Sequence, residues 1–315
     1  MPRVRRAFKV LYWTVALLVL LALVFFLAVM PWAVATITTT NRFHFPDPND
    51  GKTPRDFGME YQPAEFQSSD GIDLKGWWMP AAVAPPGAAA GTIVYVHGQN
   101  RTRVEMVPMA QFAHSMGYNG LVFDLRHEGA SGGRVSSVGY WERLDVEAAV
   151  RYALDQQHAQ RPVVLWGISL GAAASLMAAA ETPDVAAVIS DSTFLSLDDT
   201  ARHHWGLFFG WLPTSFPMFN ETMALISWKA HFRPSDFDLR KAVDGINPRP
   251  ILFIGVEGDR RMPPAIARTL YGLATGPGKM LLIVPGTRHG EGFTSGHEQY
   301  EQAVREFLGK VKAGP

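Results

Sequence analysis

The chain has 315 residues, of which 47% are hydrophobic and 18% charged, a composition typical of a folded protein rather than a disordered one. It contains no cysteine, which excludes disulfides, thiolate metal sites and a cysteine nucleophile. Basic and acidic residues number 29 each, but four of the basic residues precede Val10, so the remainder carries 25 basic against 29 acidic residues. The remainder is therefore slightly acidic and shows no stripe of basic residues of the kind that binds nucleic acid.

The N-terminal segment has the pattern of a membrane anchor. Residues 10–30 form an uncharged run of 21 residues, which as a helix spans about 30 Å, the thickness of the bilayer hydrocarbon. Tyr12 and Trp13 near one end and Trp32 near the other suit the two membrane interfaces. A basic cluster before the run predicts a cytoplasmic N-terminus, with everything after residue 32 on the outer face: Arg3, Arg5, Arg6 and Lys9.

A cleaved signal peptide is the alternative interpretation of this segment, and it would give a secreted protein. Residues 33–35, Ala-Val-Ala, have the small-x-small form of a cleavage site. The apolar run is longer than the roughly 7–15 residues of a signal sequence, which favours an uncleaved anchor. We therefore expect a cytoplasmic tail at 1–9, a transmembrane helix at 10–32 and, from its Pro, Asp, Asn and Thr content, a linker at 33–57.

From residue 58 onward, short apolar runs alternate with helical stretches. Several runs are rich in β-branched residues throughout, as expected for strands buried on both faces of a parallel sheet. The alternation predicts an α/β fold with right-handed crossovers. Candidate strands cover residues 72–79, 92–97, 120–124, 162–167, 185–190, 250–256 and 279–284, and candidate helices cover 103–116, 140–158, 170–181, 264–274 and 297–312.

Residues 193–248 interrupt the alternation, because the span is too long for a simple connection between a strand and a helix. Nine Phe or Trp residues lie between positions 205 and 237. We predict that 193–248 forms a cap inserted into a domain that covers 58–315. Most of the cap's aromatic residues are expected to form its own small core.

A serine lies in the pattern of a catalytic nucleophile. Residues 167–171 read Gly-Ile-Ser-Leu-Gly, with Ser169 between a buried strand and an apolar helix. A nucleophile elbow needs this strand–turn–helix context, and the two glycines permit a tight turn. Ser131 lies in a second Gly-x-Ser-x-Gly match, but no helix begins after it. Ser169 is therefore the predicted nucleophile and Ser131 the alternative.

A serine hydroxyl needs a base, and the base needs an acid that orients it. His289 follows the last apolar strand, so its loop lies at the same sheet edge as Ser169. Asp259 follows the strand before it, and the chain order Ser169, Asp259, His289 is the one this architecture uses. Asp191 and Glu257 are rival acids because they too follow strands.

The oxyanion formed during acyl transfer needs preorganised N–H donors. One predicted donor is the backbone N–H of Leu170, the residue after the nucleophile. The other is the backbone N–H of Gln99, in the loop that follows the 92–97 strand. His97 in the same loop is assigned a structural role.

Taken together, five motifs resemble the α/β-hydrolase superfamily, in particular its single-pass membrane-anchored members and the serine-aminopeptidase-like hydrolases. The resemblance covers roughly residues 58–312. It implies a Ser–His–Asp triad, a mostly parallel sheet of about eight strands flanked by helices, and hydrolysis of an ester, thioester or amide. The motifs are VYVHGQNRT, VFDLRHEGASGG, VVLWGISLGAAAS, ILFIGVEGDRRMPP and VPGTRHG.

These observations predict a membrane-anchored serine hydrolase, with a carboxylesterase as the leading interpretation. Its substrate would be a small acyl ester or a lipid-like molecule, and the chemistry requires neither a metal nor an organic cofactor. An acyltransferase, a thioesterase or a peptidase could use the same triad. A non-catalytic, membrane-tethered interaction module is the remaining alternative, because a fold does not fix a function. The sequence carries no signal for an oligomeric state.

Overall fold

A computed structural model describes residues 2–40, 44–82 and 89–311. Residues 41–43 of the predicted linker therefore lie outside the described residues, as do 83–88 and 312–315 of the predicted domain. Every residue of the predicted site lies within them.

The N-terminal helix is continuous from Pro2 to Thr39. It consists of α1 (Pro2–Val24), a π-helical turn (Phe25–Val29) and α2 (Met30–Thr39). The wider turn lies just before Pro31, whose ring clashes with the carbonyl four residues earlier in a regular α-helix. Within the described ranges, Val4–Thr39 is the one helix long and apolar enough to cross a membrane, and an 18-residue window of it has a mean hydropathy of 2.8.

Eight strands form a single sheet in the order β1-β2-β4-β3-β5-β6-β7-β8. The pairs β1–β2 and β2–β4 are antiparallel, and the other neighbours are parallel. All seven predicted strands are present. The strands are β1 (Gln62–Gln67), β2 (Asp73–Met79), β3 (Gly91–Val96), β4 (Tyr118–Phe123), β5 (Val163–Ile168), β6 (Val185–Asp191), β7 (Ile251–Val256) and β8 (Met280–Val284).

The sequence pattern missed β1, the antiparallel edge strand. Its sequence QPAEFQ contains a proline and a glutamate, and most of its side chains are exposed. Proline is tolerated in an edge strand because its missing N–H faces no neighbour there. The short apolar pattern that identifies buried strands is therefore absent from β1.

Helices cover both faces of the sheet, and the five predicted helices are all present. One core cluster includes residues of α4, α5, α8 and α9, and a second includes residues of α3 and α11. The helices after α2 are α3 (Val107–Ser115), α4 (Glu142–Arg151), α5 (Leu170–Glu181), α6 (Leu197–Phe209), α7 (Pro217–Ala230), α8 (Leu239–Ile246), α9 (Ala265–Leu273), α10 (Gly292–Ser295) and α11 (His297–Lys310).

The cap follows the sixth strand, as predicted, and is built mainly from α6 and α7. Trp205, Met218 and Phe219 form its small buried core. Helix α8 lies in the predicted cap range but packs against α5, so it belongs to the layer that covers the sheet. Helix α7 packs against α2, which ties the cap to the N-terminal helix.

Candidate active site

Ser169 occupies a strained turn between β5 and α5. Its backbone has φ 55° and ψ −117°, a conformation that L-residues rarely adopt. The turn is held by the Ser169 N–H, which donates to the Asp191 carbonyl oxygen at 2.8 Å. A Cβ at Gly171 would collide with the Val96 carbonyl oxygen, and one at Gly167 with the backbone of Gly171. Both glycines are therefore required for the helix to approach the sheet this closely.

The structure brings Ser169, His289 and Asp259 into one hydrogen-bonded chain. The Ser169 Oγ lies 2.8 Å from His289 Nε2, and His289 Nδ1 lies 2.7 Å from Asp259 Oδ2. The serine hydroxyl donates to Nε2 when Nδ1–H donates to the carboxylate. The His289 side chain is only 13% exposed and the Asp259 side chain is 0% exposed, so the hydrogen bond between them is shielded from solvent.

Two backbone hydrogen bonds join the acid loop to the histidine loop. The N–H of Glu257 donates to the Val284 carbonyl at 2.9 Å, and the N–H of Gly258 donates to the Gly286 carbonyl at 2.9 Å. These bonds extend the pairing of β7 with β8 past the strand ends. The next residue after this junction is Asp259, which explains why its carboxylate reaches His289.

Asp259 is held in its ionised form. Burial raises the pKa of this carboxyl, but the hydrogen bond and charge of His289 and two backbone N–H donors outweigh burial and leave the pKa below its ordinary value. The donors are the N–H groups of Arg261 and Met262, at 2.8 and 2.9 Å from Oδ1. An ionised acid at Nδ1 fixes the tautomer that leaves Nε2 free to accept a proton.

Neither rival acid contacts the histidine. The Asp191 side chain is fully buried and accepts hydrogen bonds from Ser192 Oγ and Tyr300 Oη, both at 2.8 Å. Glu257 is exposed at the surface. The alternative serine, Ser131, is buried and donates to the Asp124 carbonyl at 2.6 Å. Its Oγ also accepts from the Lys75 N–H of β2 at 3.0 Å, which links the loop after β4 to β2.

The two predicted oxyanion donors line the same cavity as Ser169. Leu170 is the first residue of α5, where a backbone N–H has no acceptor within the helix. Gln99 follows Gly98, whose N–H donates to Glu105 Oε2 at 2.7 Å and so fixes the loop. His97 is structural, as predicted: it is buried, its Nδ1 lies 2.7 Å from the Gly98 oxygen, and its Nε2 accepts from the Leu125 N–H at 3.0 Å.

A largely apolar cavity of about 470 Å³ opens above Ser169. Cap side chains from α6 and α7 form much of its wall, including Phe209, Met218 and Ile226. His204 also lines the cavity, and burial, together with the nearby charge of Arg261, lowers the pKa of this imidazole to about 4. His204 is therefore neutral near neutral pH, and the charged side chains of the wall are Arg101, Glu105 and Arg261.

The N-terminal helix contributes the cavity wall that sequence reasoning missed. Val34, Ile37 and Thr38 of α2 line the cavity, although the sequence assigned them to a linker. Gln99 Nε2 donates to the Thr38 carbonyl at 2.8 Å, which joins α2 to the predicted oxyanion loop. The signal in the sequence was the continuation of the apolar pattern beyond Trp32.

Two carboxylates that organise the site loops were also missed. Glu105 fixes the Gly98 N–H and pairs with Arg101 at 3.3 Å. Glu291 accepts from the backbone N–H groups of Arg288, at 2.8 Å, and Thr287, and these bonds lower its pKa to about 2. A glutamate shortly after a Gly-Thr-Arg-His turn is the only signal for such a role. Among the described residues, no group of three His, Asp or Glu is arranged to hold a metal ion.

Comparison with known proteins adds the family context. A sequence profile described as the alpha/beta hydrolase fold matches residues 91–244. The chain has the α/β-hydrolase fold. It is 25% identical over 273 residues to the uncharacterized protein YfhR of Escherichia coli K12, covering 85% of this chain and 86% of the relative. It is 26% identical over 259 residues to the protein bem46 of Schizosaccharomyces pombe, covering 81% and 79% of the two chains.

Solved structures share this architecture. The esterase Pf2001 of Pyrococcus furiosus superposes with a TM-score of 0.68 at 23% identity, over 85% of this chain and 99% of that one. The acylaminoacyl peptidase of Pyrococcus horikoshii superposes with a TM-score of 0.58 at 20% identity, over 82% and 43% of the two chains. At these identities the likeness describes the fold.

Proposed function

We propose that this α/β hydrolase is a membrane-anchored serine hydrolase that cleaves carboxylic esters. The observation that carries the proposal is the continuous chain of short hydrogen bonds from Ser169 through His289 to Asp259. Serine hydrolases use a nucleophile, a base and an acid that are hydrogen-bonded in this order. The strained turn at Ser169 supports the nucleophile assignment, because it aims the hydroxyl at the cavity.

In the proposed reaction, Ser169 Oγ attacks the acyl carbonyl while its proton passes to His289 Nε2. The developing negative charge on the carbonyl oxygen is stabilised by the N–H groups of Gln99 and Leu170. His289 then gives the proton to the departing alcohol, which leaves an acyl group on Ser169. Water attacks this ester with His289 again as the base, and the carboxylic acid departs. Asp259 stabilises the imidazolium that forms in both steps.

The cavity favours an apolar acyl group as the part of the substrate that binds beside Ser169. Its wall is mostly aliphatic and aromatic, and His204 within it is neutral. A volume of about 470 Å³ lies within the range of small-molecule sites. Apolar side chains outnumber the charged ones in this wall, which are Arg101, Glu105 and Arg261, so an ester with a hydrocarbon chain fits better than a polar peptide.

We propose that the N-terminal helix remains attached and spans the membrane, with the catalytic domain on the outer face. Residues 4–24 expose nearly every side chain to the surroundings, as a lipid-facing helix does. Ala35 at the candidate cleavage site is 0% exposed, and Val34 lines the cavity. Cleavage after Ala35 would cut a packed helix and remove part of the cavity wall, which supports retention. Carbonate extraction and protease protection of a C-terminal tag test this topology.

The enzymatic proposal is tested with the full-length protein in detergent micelles and p-nitrophenyl esters of graded chain length. Ser169→Ala is expected to abolish turnover, because no other group can form the acyl-enzyme. Ser131→Ala is the matched control in the second Gly-x-Ser-x-Gly match, and its kcat is expected to stay within a few-fold of wild type. Turnover of a peptide or a thioester in preference to every ester would replace the ester assignment. Full activity in Ser169→Ala would refute the nucleophile.

A further inference from the structure

The cap exposes aromatic side chains that its own core does not use. Phe208, Trp211 and Trp228 are 67%, 70% and 62% exposed. Trp211 lies at the tip of a stretch from Trp205 to Asn220 that contains no charged residue. Exposed aromatic residues grouped on one surface mark an interaction site more often than a solvated face. We call Trp211, Trp228 and the 205–220 stretch the aromatic edge of the cap.

Ring contacts with the anchor fix the position of the aromatic edge along the N-terminal helix. The Phe26 ring centroid lies 6.1 Å from that of Trp211 and 6.3 Å from that of Phe216. Phe26 is four residues inside the end of the 10–30 apolar run, and therefore about 6 Å inside the proposed hydrocarbon layer. That depth lies within the roughly 5–10 Å reached by interfacial amphipathic segments.

A second contact lies at the membrane surface itself. Trp32 and Trp228 have ring centroids 6.2 Å apart, and the Lys229 ammonium lies 4.2 Å from the centre of the Trp32 ring. Tryptophan rings and a lysine ammonium are the side chains that prefer the headgroup region, where rings meet acyl chains and the cation meets phosphate. The aromatic edge thus continues the surface that the anchor helix presents to lipid.

The cavity mouth lies close to this surface. Ile37, Phe45 and Phe208 all line the cavity and are also exposed, so they form its rim. Ile37 is five residues beyond Trp32 on the same helix, which places it about 8 Å further from the bilayer centre. An acyl chain in the outer leaflet would therefore have a short, apolar route along α2 to Ser169.

We propose that the aromatic edge of the cap inserts into the lipid interface of the leaflet from which the anchor emerges, and that the cavity takes long-chain acyl esters directly from that bilayer. The inference rests on the proposed function and names its substrate class. The bilayer is the occupant because the anchor that contacts the aromatic edge is itself the membrane segment. A partner protein would have to cover Trp211 at the depth of Phe26, which lies inside the proposed hydrocarbon layer.

Depth is tested with the full-length protein in vesicles of phosphatidylcholine that carries brominated acyl chains, which quench tryptophan only on contact. Trp211→Phe keeps an aromatic ring but removes one fluorophore. Removing a fluorophore that contacts lipid lowers the quenched fraction of the emission, whereas removing one in water raises it. We expect Trp211→Phe and Trp228→Phe to lower it, and the control Trp77→Phe on β2 to raise it. A rise in both cap variants would overturn the proposal without reference to activity.

Substrate delivery is tested with two esters and the Trp211→Gln/Trp228→Gln double variant. Neither of the two replaced tryptophans lines the cavity. Hydrolysis of a long-chain ester embedded in the vesicles is expected to fall at least about fivefold, because the cap no longer holds its mouth at the interface. Hydrolysis of a short water-soluble ester by the same vesicles is expected to stay within about twofold, since the triad is untouched.

Leu273→Gln is the matched control, because Leu273 is 43% exposed on α9, a helix that packs against α8, β7 and β8. It is expected to change neither rate. An unchanged rate on the embedded ester in the double variant would contradict delivery from the bilayer. If wild type hydrolyses neither ester, the proposed function fails, and the quenching result still decides whether the cap contacts lipid.

Discussion

Replacing Gly258 by alanine should push apart the two loops whose backbone hydrogen bonds bring Asp259 to His289. A Cβ at this position would lie 2.7 Å from the Gly286 carbonyl oxygen and 3.1 Å from the Thr287 Cα. Ordinary Cβ contacts begin at 3.4 Å, so the two loops must separate by about 0.7 Å. Both contacts are with backbone, so no side-chain rotation can relieve them. Misplacing a catalytic group by about 1 Å costs on the order of 10²-fold, so kcat/KM should fall about 30- to 100-fold.

The assay is kcat/KM for a short p-nitrophenyl ester, measured beside the melting temperature of the full-length protein in detergent. Gly272→Ala on α9 is the matched control, because nothing lies within 4 Å of a Cβ added there and alanine favours a helix. It should leave kcat/KM unchanged and the melting temperature equal or higher. If Gly258→Ala keeps kcat/KM within threefold of wild type, the Asp259–His289 contact does not depend on this loop junction and the reasoning is refuted.

Three further predictions follow from other contacts. Asp259→Asn should lower kcat by about 10⁴-fold and Asp191→Asn by less than tenfold, since only Asp259 reaches the histidine; steady-state kinetics that reverse this order would move the acid to β6. Arg126→Ala should destabilise the fold by about 3–5 kcal/mol in urea denaturation, because it leaves the fully buried Asp145 without the guanidinium that lies 2.7 Å away; a loss under 1 kcal/mol would contradict this. The depressed pKa of Asp259 stabilises the fold above the ordinary carboxyl value of 3.8, and this contribution disappears as pH falls through the lower, folded-state pKa. The difference in unfolding free energy between wild type and Asp259→Asn should therefore shrink as the pH falls below 4, and a difference that stays constant from pH 4 down to pH 2 would contradict the depressed pKa.

The sheet and the arrangement of Ser169, Asp259 and His289 were predictable because each depends on local sequence. A buried parallel strand has a continuous apolar run, and the residues after such strands meet at one sheet edge. The pairing of β7 with β8 then brings the Asp259 loop and the His289 loop together. β1 lacked the apolar run because it is an edge strand with half its surface in solvent.

The contribution of α2 to the cavity could not be predicted from sequence. Pro, Asp and Asn after residue 39 suggested a linker, and the boundary was drawn at the end of the apolar run. Where a helix ends is set by its packing, and α2 is held by α7 and by the Gln99 side chain. These partners are distant in the chain, so the apolar residues after Trp32 do not by themselves show that the helix continues as far as the cavity. The same holds for Glu291, whose backbone donors, the N–H groups of Thr287 and Arg288, come within its reach only once the histidine loop has folded.

The proposed function requires that Ser169, activated by His289, attacks the acyl carbonyl. Its most direct test is labelling of the full-length protein with a fluorophosphonate, followed by digestion and mass spectrometry of the modified peptide. We predict a single adduct on Ser169, absent in Ser169→Ala and strongly slowed in His289→Ala, because the base that activates the hydroxyl is gone. An adduct on Ser131, or ester hydrolysis by protein that takes up no label, would contradict the account.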